Sequence, residues 1–258
     1  MEFQLIALCS ASLLAGFVDA IAGGGGLIQL PALFLFLPTL APGVAPAVIL
    51  GTNKLSSACG TTYAVMRYSR AVPIAWRVVL PAAFFAALFS YLGASSVRMF
   101  SPQAFQSIII ILLFAVAGFT ILKKDLGTGK RRVREGIPAL ITAIIIGSFI
   151  GFYDGFFGPG TGSFLIIAFV TIFGTNFLTA SASSKIVNLI TNVFALIFFI
   201  LHGTILYKIG FIMAVSNIIG AFLGTHVAIK KGSAFVRIIF IVVVFSLIAK
   251  LVWAMFSP

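Results

Sequence analysis

The stretch GFVDAIAGGGG, from Gly16 to Gly26, recurs in altered form as GFYDGFFGPGTG, from Gly151 to Gly162. Each copy carries one aspartate, Asp19 or Asp154, shortly before a glycine-rich interruption of an apolar run. The other three of the five acidic residues lie near the N-terminus or in a polar stretch, so these two carboxylates are the ones within apolar segments. The sequence therefore predicts a duplicated chain whose unusual features occupy two related breaks.

The composition is typical of a chain that lies in a membrane. Hydrophobic residues make up 61% and charged residues 9% of the 258 positions, and the mean hydropathy is +1.20. A water-facing surface needs far more charge than this. Long apolar runs separated by short polar stretches favour helical spans over the alternating pattern of an outer-membrane barrel. We therefore expect an all-α integral membrane protein, with the lipid bilayer as its surroundings.

The basic residues are concentrated in the middle of the chain. The net charge of +12 by itself would suit a nucleic-acid partner, but six of the 17 lysines and arginines fall between Lys123 and Glu135. Because Lys and Arg are enriched in the cytoplasmic loops of membrane proteins, this cluster predicts a cytoplasmic loop and no nucleic-acid binding. The loop, residues 123–135, divides one integrated membrane domain into a first repeat, residues 1–122, and a second repeat, residues 136–258.

Further equivalent positions support the duplication. Asp19 and Asp154 lie 135 positions apart, and Lys54 and Lys185 lie 131 positions apart. The apolar runs predict about 8–10 membrane segments. In each half the second run, residues 27–37 or 163–173, has about eleven residues, far fewer than the ~20 that cross a bilayer as a helix. Each half is therefore expected to begin with a broken or re-entrant helix pair, whose short arm either crosses as a packed helix or turns back.

The distribution of positive charge predicts that the two halves have opposite orientations. The stretch from Arg67 to Arg77 is rich in arginine and is expected to be cytoplasmic, whereas its repeat equivalent, from His202 to Lys208, is expected to lie outside. Such an inverted repeat needs an odd number of crossings in each half, which places both termini outside the cytoplasm. Inverted repeats with interrupted helices are typical of secondary transporters, although an anion channel can also be built in this way.

Groups near the two breaks favour an anionic ligand. Glycine allows positive φ, and free N–H groups at the start of the following half-helix suit an anion, whereas close packing of small residues is the alternative explanation. Lys54 and Lys185 lie within apolar segments, where a lysine costs roughly 2.5 to 3.5 kcal/mol and needs a partner or a wet cavity, unless it reaches toward the membrane surface. The predicted substrate-binding residues are Gly23, Gly24, Gly25, Gly26, Asn53, Lys54, Gly158, Gly160, Thr161, Gly162, Ser184, Lys185 and Asn188. Ser57 and Asn192 lie near the same lysines and could supply further hydrogen bonds.

Asp19 and Asp154 are predicted to couple or shape the site and not to touch the substrate. They could pair with the lysines or accept hydrogen bonds from backbone N–H groups at the breaks, and one could take up a proton during transport. The structural role and the proton-relay role fit the sequence equally well. The expected partners are therefore a small anionic substrate, the bilayer and protons.

No motif in the sequence indicates catalysis. The chain has no HExxH, GxSxG or nucleotide-binding P-loop motif, and neither His202 nor His226 has metal-ligand spacing to a Cys, Asp or Glu. We therefore expect a protein that is not an enzyme and that uses no metal or organic cofactor.

Four motifs of the sequence together resemble the TauE/SafE family of sulfite and organosulfonate exporters, also called TSUP. They are GFVDAIAGGGGLIQLPAL, GTNKLSSACG, GFYDGFFGPGTGSF and ASSKIVNLITN. The resemblance extends over nearly the whole chain. It implies a multi-pass protein of a bacterial or archaeal inner membrane that exports sulfite, thiosulfate, sulfoacetate or a related small anion with coupling to protons. The motif positions that it points to here are Asp19, Gly23 to Gly26, Asn53, Lys54, Asp154, Gly158 to Gly162 and Lys185.

One departure and one alternative accompany this resemblance. Ser184 stands before Lys185, where the first half has Asn53 before Lys54, so the ligand is expected to lie asymmetrically between the halves. A small carboxylate fits the same residues and is the alternative substrate.

Overall fold

The computed structural model describes residues 2–100 and 136–256, and in the last helix it describes side chains only up to residue 239, without residue 237. The helices are α1 Glu2–Ala22, α2 Gly26–Leu40, α3 Pro46–Ala71, α4 Trp76–Ser96, α5 Ile137–Phe156, α6 Thr161–Thr171, α7 Phe177–Leu201 and α8 Tyr207–Phe256. A short 3-10 turn, Val97–Met99, follows α4. Helix α8 kinks at Gly232, where φ is 76° and ψ is −169°. The described part of the chain thus contains helices and turns and no strand.

Five of the described helical stretches are long and apolar enough to cross a membrane. They are Glu2–Ala22, Trp76–Met99, Ile137–Phe156, Phe177–Leu201 and Tyr207–Val236. Helix α3 has 26 residues but is more polar than these five, because it carries the lysine motif of the first half. The prediction of an all-α integral membrane protein is confirmed. The predicted fifth apolar segment, residues 105–122, and the basic loop, residues 123–135, lie outside the described residues.

Two helices are too short to span the hydrocarbon core. Helix α2 has 15 residues and contains Pro31 and Pro38, and α6 has 11 residues. At 1.5 Å per residue α6 is roughly 16 Å long, about half of the ~30 Å that a span must cover. Both follow a glycine-rich break, so each half begins with the broken helix pair that its motif predicts.

The most extensive helix-to-helix contacts join helices of different halves. Helix α1 packs along α8, and its repeat equivalent α5 packs along α4. On α5, Gly147, Gly151 and Gly155 recur every fourth residue, and a Cβ added to Gly155 would lie only 1.9 Å from the carbonyl oxygen of Ser90 on α4. Small residues at this spacing let helix backbones approach closely, as is common in membranes. The exchanged pairing is compatible with a two-fold relation between the halves, whose inverted orientation stays a prediction.

The outer faces of the helices are apolar. On α4, Leu80, Phe84 and Leu88 follow one another at four-residue spacing, and each is about half exposed or more. The most exposed large side chain of α5 is Phe149. An apolar outer face is unfavourable in water but suits contact with lipid chains. Several buried polar side chains, among them Ser12, Ser90 and Asn217, instead form hydrogen bonds between the two halves.

Candidate substrate site

An ion pair joins the lysine motif of the first half to the aspartate motif of the second. The Nζ of Lys54, on α3, lies 2.7 Å from Oδ2 of Asp154, at the end of α5. The same ammonium group donates to Oδ1 of Asn192 on α7 at 3.0 Å. All three residues are buried. A lysine in this position needs partners of this kind, because an isolated buried charge is strongly unfavourable.

The second lysine makes the same contact with the halves exchanged. The Nζ of Lys185, on α7, lies 2.8 Å from Oδ2 of Asp19, at the end of α1. The Lys185 side chain is fully buried, whereas 21% of the Asp19 side chain is exposed. Asp19 is therefore the carboxylate of the two that water reaches more easily.

The two glycine breaks contact each other directly. The N–H of Ser163 donates to the carbonyl oxygen of Gly23 at 3.1 Å. A Cβ added to Gly23, whose φ is +75°, would lie 2.2 Å from the carbonyl carbon of Gly162. This position therefore requires glycine for its backbone conformation and also for the close approach of the other break. The sequence motifs that open the two halves meet at one place.

Hydroxyl groups satisfy the carbonyls that the end of α1 leaves free. The last turn of a helix has carbonyl oxygens without intrahelical partners, and in a membrane these must be paired inside the protein. The Tyr68 hydroxyl donates to Ala20 at 2.8 Å, and Ser181 donates to Ile21 at 3.0 Å. Ser163, from the second break, donates to Ala22 at 2.8 Å. The first break is thus held by groups from both halves.

A small polar cavity of about 30 Å³ lies at the junction of the breaks and the lysine motifs. Its lining includes the predicted residues Asp19, Gly23, Gly25, Gly26, Asn53, Lys54, Asp154, Gly158, Gly160, Gly162 and Asn188. A cavity needs roughly 10 to 15 Å³ of such volume to hold one water, so there is room for about two. The space is therefore smaller than an anion built of sulfur and several oxygens.

Four predicted site residues do not line this cavity. Thr161 donates its hydroxyl hydrogen to the carbonyl oxygen of Gly158 at 2.7 Å, and Ser184 donates to that of Ser181 at 2.8 Å. The Lys185 side chain is fully buried and pairs with Asp19 behind the cavity lining, and Gly24 belongs to the first break without lining the cavity. The residues that line the cavity in the second half are therefore fewer than the sequence predicts.

Six further residues line the cavity, and of these Ser57 and Asn192 were predicted to supply hydrogen bonds near the lysines, whereas the other four were not predicted. The six are Ala15, Gln29, Ser57, Thr61, Asn192 and Asn217. Ser57 and Asn192 lie one helical turn or two from the lysine motifs, which is a usable sequence signal. Gln29 and Asn217 carry the single side-chain amide of the apolar helices α2 and α8, respectively, and polar residues inside a membrane are rarely there without a function.

Apolar helices, paired chain breaks and a buried cavity with two ion pairs define a multi-pass membrane protein of the transporter class. Comparison with known proteins narrows this class. The chain belongs to the TauE/SafE family, because the family model described as "Sulfite exporter TauE/SafE" matches residues 8–251. No solved structure matches the chain.

Several relatives resemble the chain over most of its length. A probable membrane transporter protein, ORF9, from a Sinorhizobium species is 35% identical over 97% of this chain and 94% of its own. One from Haemophilus influenzae is 35% identical over 96% of this chain and 94% of its own. YfcA of Escherichia coli K12, another probable membrane transporter, is 36% identical over 94% and 87%. The protein is thus a membrane transporter of this family, and its relatives' names point away from an enzyme.

Proposed function

We propose that the protein is a secondary carrier that exports a small sulfur oxyanion or organosulfonate, such as sulfite, thiosulfate or sulfoacetate, together with a proton. The observation that carries this proposal is the exchange of ion-pair partners between the halves, Lys54 with Asp154 and Lys185 with Asp19. The description of the family as sulfite exporters supports the choice of substrate. A buried cation on the lining of a small polar cavity is the feature of this site that would attract an anion.

The charges of the site explain why a proton would accompany the anion. Each lysine is already neutralised by a carboxylate, so an added anion would bring uncompensated negative charge into a buried site. Separating a buried pair costs about 3 to 5 kcal/mol if one partner is left alone. Protonation of a carboxylate frees the charge of its lysine, so that one proton balances a monovalent anion such as hydrogen sulfite and half of the charge of a dianion such as thiosulfate. Anion and proton would then bind to the same conformation and leave together.

Asp19 is the carboxylate best suited to accept this proton. Its side chain is partly exposed and lines the cavity, while that of Asp154 is enclosed. We propose that Asp19 couples transport to protons: once Asp19 is protonated, the positive charge of Lys185 is no longer neutralised, and a monovalent anion beside Lys54 restores the charge balance of the site.

The size of the cavity favours a carrier over a pore. With room for about two waters, the cavity must widen before a sulfur oxyanion enters, and widening must separate groups that belong to different halves. Because the ion pairs and the Gly23–Ser163 hydrogen bond all join the two halves, a movement of one half against the other would open the site. We further propose a bacterial or archaeal inner membrane, a cytoplasmic central loop and both termini outside.

A ligand screen tests the substrate class. Purified protein is heated with sulfite, thiosulfate, sulfoacetate, taurine or acetate, and a ligand of the folded state raises the unfolding temperature. We expect the sulfur anions to raise it more than acetate does. Stabilisation by acetate alone would indicate a carboxylate carrier, and voltage-clamped bilayers that showed unitary currents would indicate an anion channel.

A further inference from the structure

We propose that Gln29 is a substrate-binding residue whose side-chain amide donates a hydrogen bond to an oxygen of the bound anion, and that Asn217 positions this amide. The inference rests on the proposed function only in taking the ligand to be an oxyanion. Both residues line the cavity that contains Lys54 and Asp154.

The side-chain N–H group of Gln29 has no hydrogen-bond acceptor in the described structure. Gln29, on the short helix α2, is 0% exposed, and its Nε2 has no hydrogen-bond acceptor among the described residues. Buried polar groups nearly always have partners, because an unpaired donor loses its water without compensation. An acceptor that enters the cavity would supply the missing partner.

Asn217 determines which end of the Gln29 amide faces the cavity. Its Nδ2 donates to Oε1 of Gln29 at 2.8 Å, which occupies the oxygen of Gln29 and leaves the N–H group available. Oδ1 of Asn217 lies against Gly60, where an added Cβ would be only 1.8 Å away. Gly16 packs against the backbone of Asn217, with an added Cβ 2.2 Å from its carbonyl oxygen. The two glycines thus make the space that holds Asn217 in this orientation.

This donor belongs to one half only. At the offset that relates Asp19 to Asp154, Gln29 aligns with Phe164, and at the offset of the lysines Asn217 aligns with Ala86. The anion would therefore bind off the centre, beside Lys54, with one oxygen directed at Gln29. A neutral donor adds a preference for oxygen without adding charge to the site.

Calorimetric titration of the purified protein with sulfite, thiosulfate and acetate tests the proposal. Gln29→Met keeps the length of the side chain but removes the amide, so we expect Kd for the anion that binds to rise about 10- to 100-fold. Asn217→Ala should weaken binding less, and the double variant should bind no more weakly than Gln29→Met, because Asn217 acts through Gln29. The control Ser12→Ala removes a buried helix-to-helix hydrogen bond outside the cavity and should leave Kd unchanged.

Three results would overturn the assignment: unchanged affinity in Gln29→Met, fully additive losses in the double variant, or no binding of any of the three oxyanions by the wild type. If only acetate binds and its affinity depends on Gln29, the assignment stands and the sulfur-anion substrate is wrong. If Gln29→Met does not fold, Asn217→Ala decides alone, and an unchanged Kd in that variant contradicts the proposal.

Discussion

Lys54 of the first half and Asp154 of the second are joined by a 2.7 Å ion pair, although 100 residues separate them in sequence. Lys185 and Asp19 repeat the relationship at 2.8 Å with the halves exchanged. The charge of each lysine is therefore neutralised by a carboxylate of the other half. A contact of this kind links the chemistry of the site to the relative position of the halves.

Removing one partner of the Lys54–Asp154 pair should destabilise the protein much more than replacing both partners by apolar residues. Asp154→Ala leaves a buried ammonium group without its carboxylate, so we expect a loss of about 3 to 5 kcal/mol in the free energy of unfolding. Lys54→Met combined with Asp154→Leu removes both charges and should recover most of this loss, while anion flux stays absent. Unfolding in detergent measures the first effect and proteoliposome flux the second. A double variant that still transports would show that the pair is only structural.

Asp19→Asn should separate anion movement from the proton gradient. The amide has the shape of the carboxylate but does not exchange a proton, so thiosulfate flux should no longer respond to an imposed pH difference. A pH-sensitive dye inside the proteoliposomes should record proton movement with the wild type and not with the variant. Asp154→Asn is the matched control, and we expect it to lower flux while keeping the response to pH. The coupling role of Asp19 is wrong if its variant retains the wild-type response.

Gly23 and Gly43 form a matched pair for the contact between the breaks. Their φ angles are +75° and +76°, but an added Cβ meets the second break at Gly23 and nothing within 4 Å at Gly43. Gly43→Ala should therefore cost about 1 to 2 kcal/mol for its backbone conformation alone. Gly23→Ala should cost about 1 to 3 kcal/mol more because of the steric overlap, and it should reduce flux. Equal losses in the two variants would argue that the breaks do not pack together.

Cysteine labelling tests the opposite orientation of the halves. After replacement of Cys9 and Cys59 by serine, single cysteines are introduced as Ala71→Cys or His202→Cys, both at exposed positions. A membrane-impermeant reagent added to intact cells should label the His202 position and not the Ala71 position. Labelling of both positions, or of the Ala71 position alone, would contradict the inverted arrangement.

Much of the fold follows from features that occur twice in the sequence. The glycine runs before Leu27 and Ser163 interrupt apolar segments in both halves, and the structure places a chain break at each. Pairing of the aspartates with the lysines was one of two predicted roles, the other being acceptance of hydrogen bonds from backbone N–H groups at the breaks. Which aspartate pairs with which lysine depends on the packing of α1 on α8 and of α5 on α4, and no local pattern encodes that packing.

The unpredicted part of the site lies where the halves differ. Gln29 and Asn217 have Phe164 and Ala86 as repeat equivalents, so a search for paired polar residues passes over them. Ser184 was expected at the site as the equivalent of Asn53, but its hydroxyl bonds the preceding turn of its own helix. Serine hydroxyls within helices commonly bond the preceding turn of their own backbone, and the repeat alignment gives no sign of this.

Efflux of radiolabelled sulfite from proteoliposomes tests the central claim most directly, with the wild type compared with Lys54→Ala, Lys185→Ala and the control Ser12→Ala. Lys54→Ala and Lys185→Ala each remove the cation from one inter-half pair, so we expect both to lose sulfite efflux, while the wild type and Ser12→Ala transport. Wild-type rates in both lysine variants, in vesicles with equal amounts of folded protein, would contradict an anion site built on these pairs.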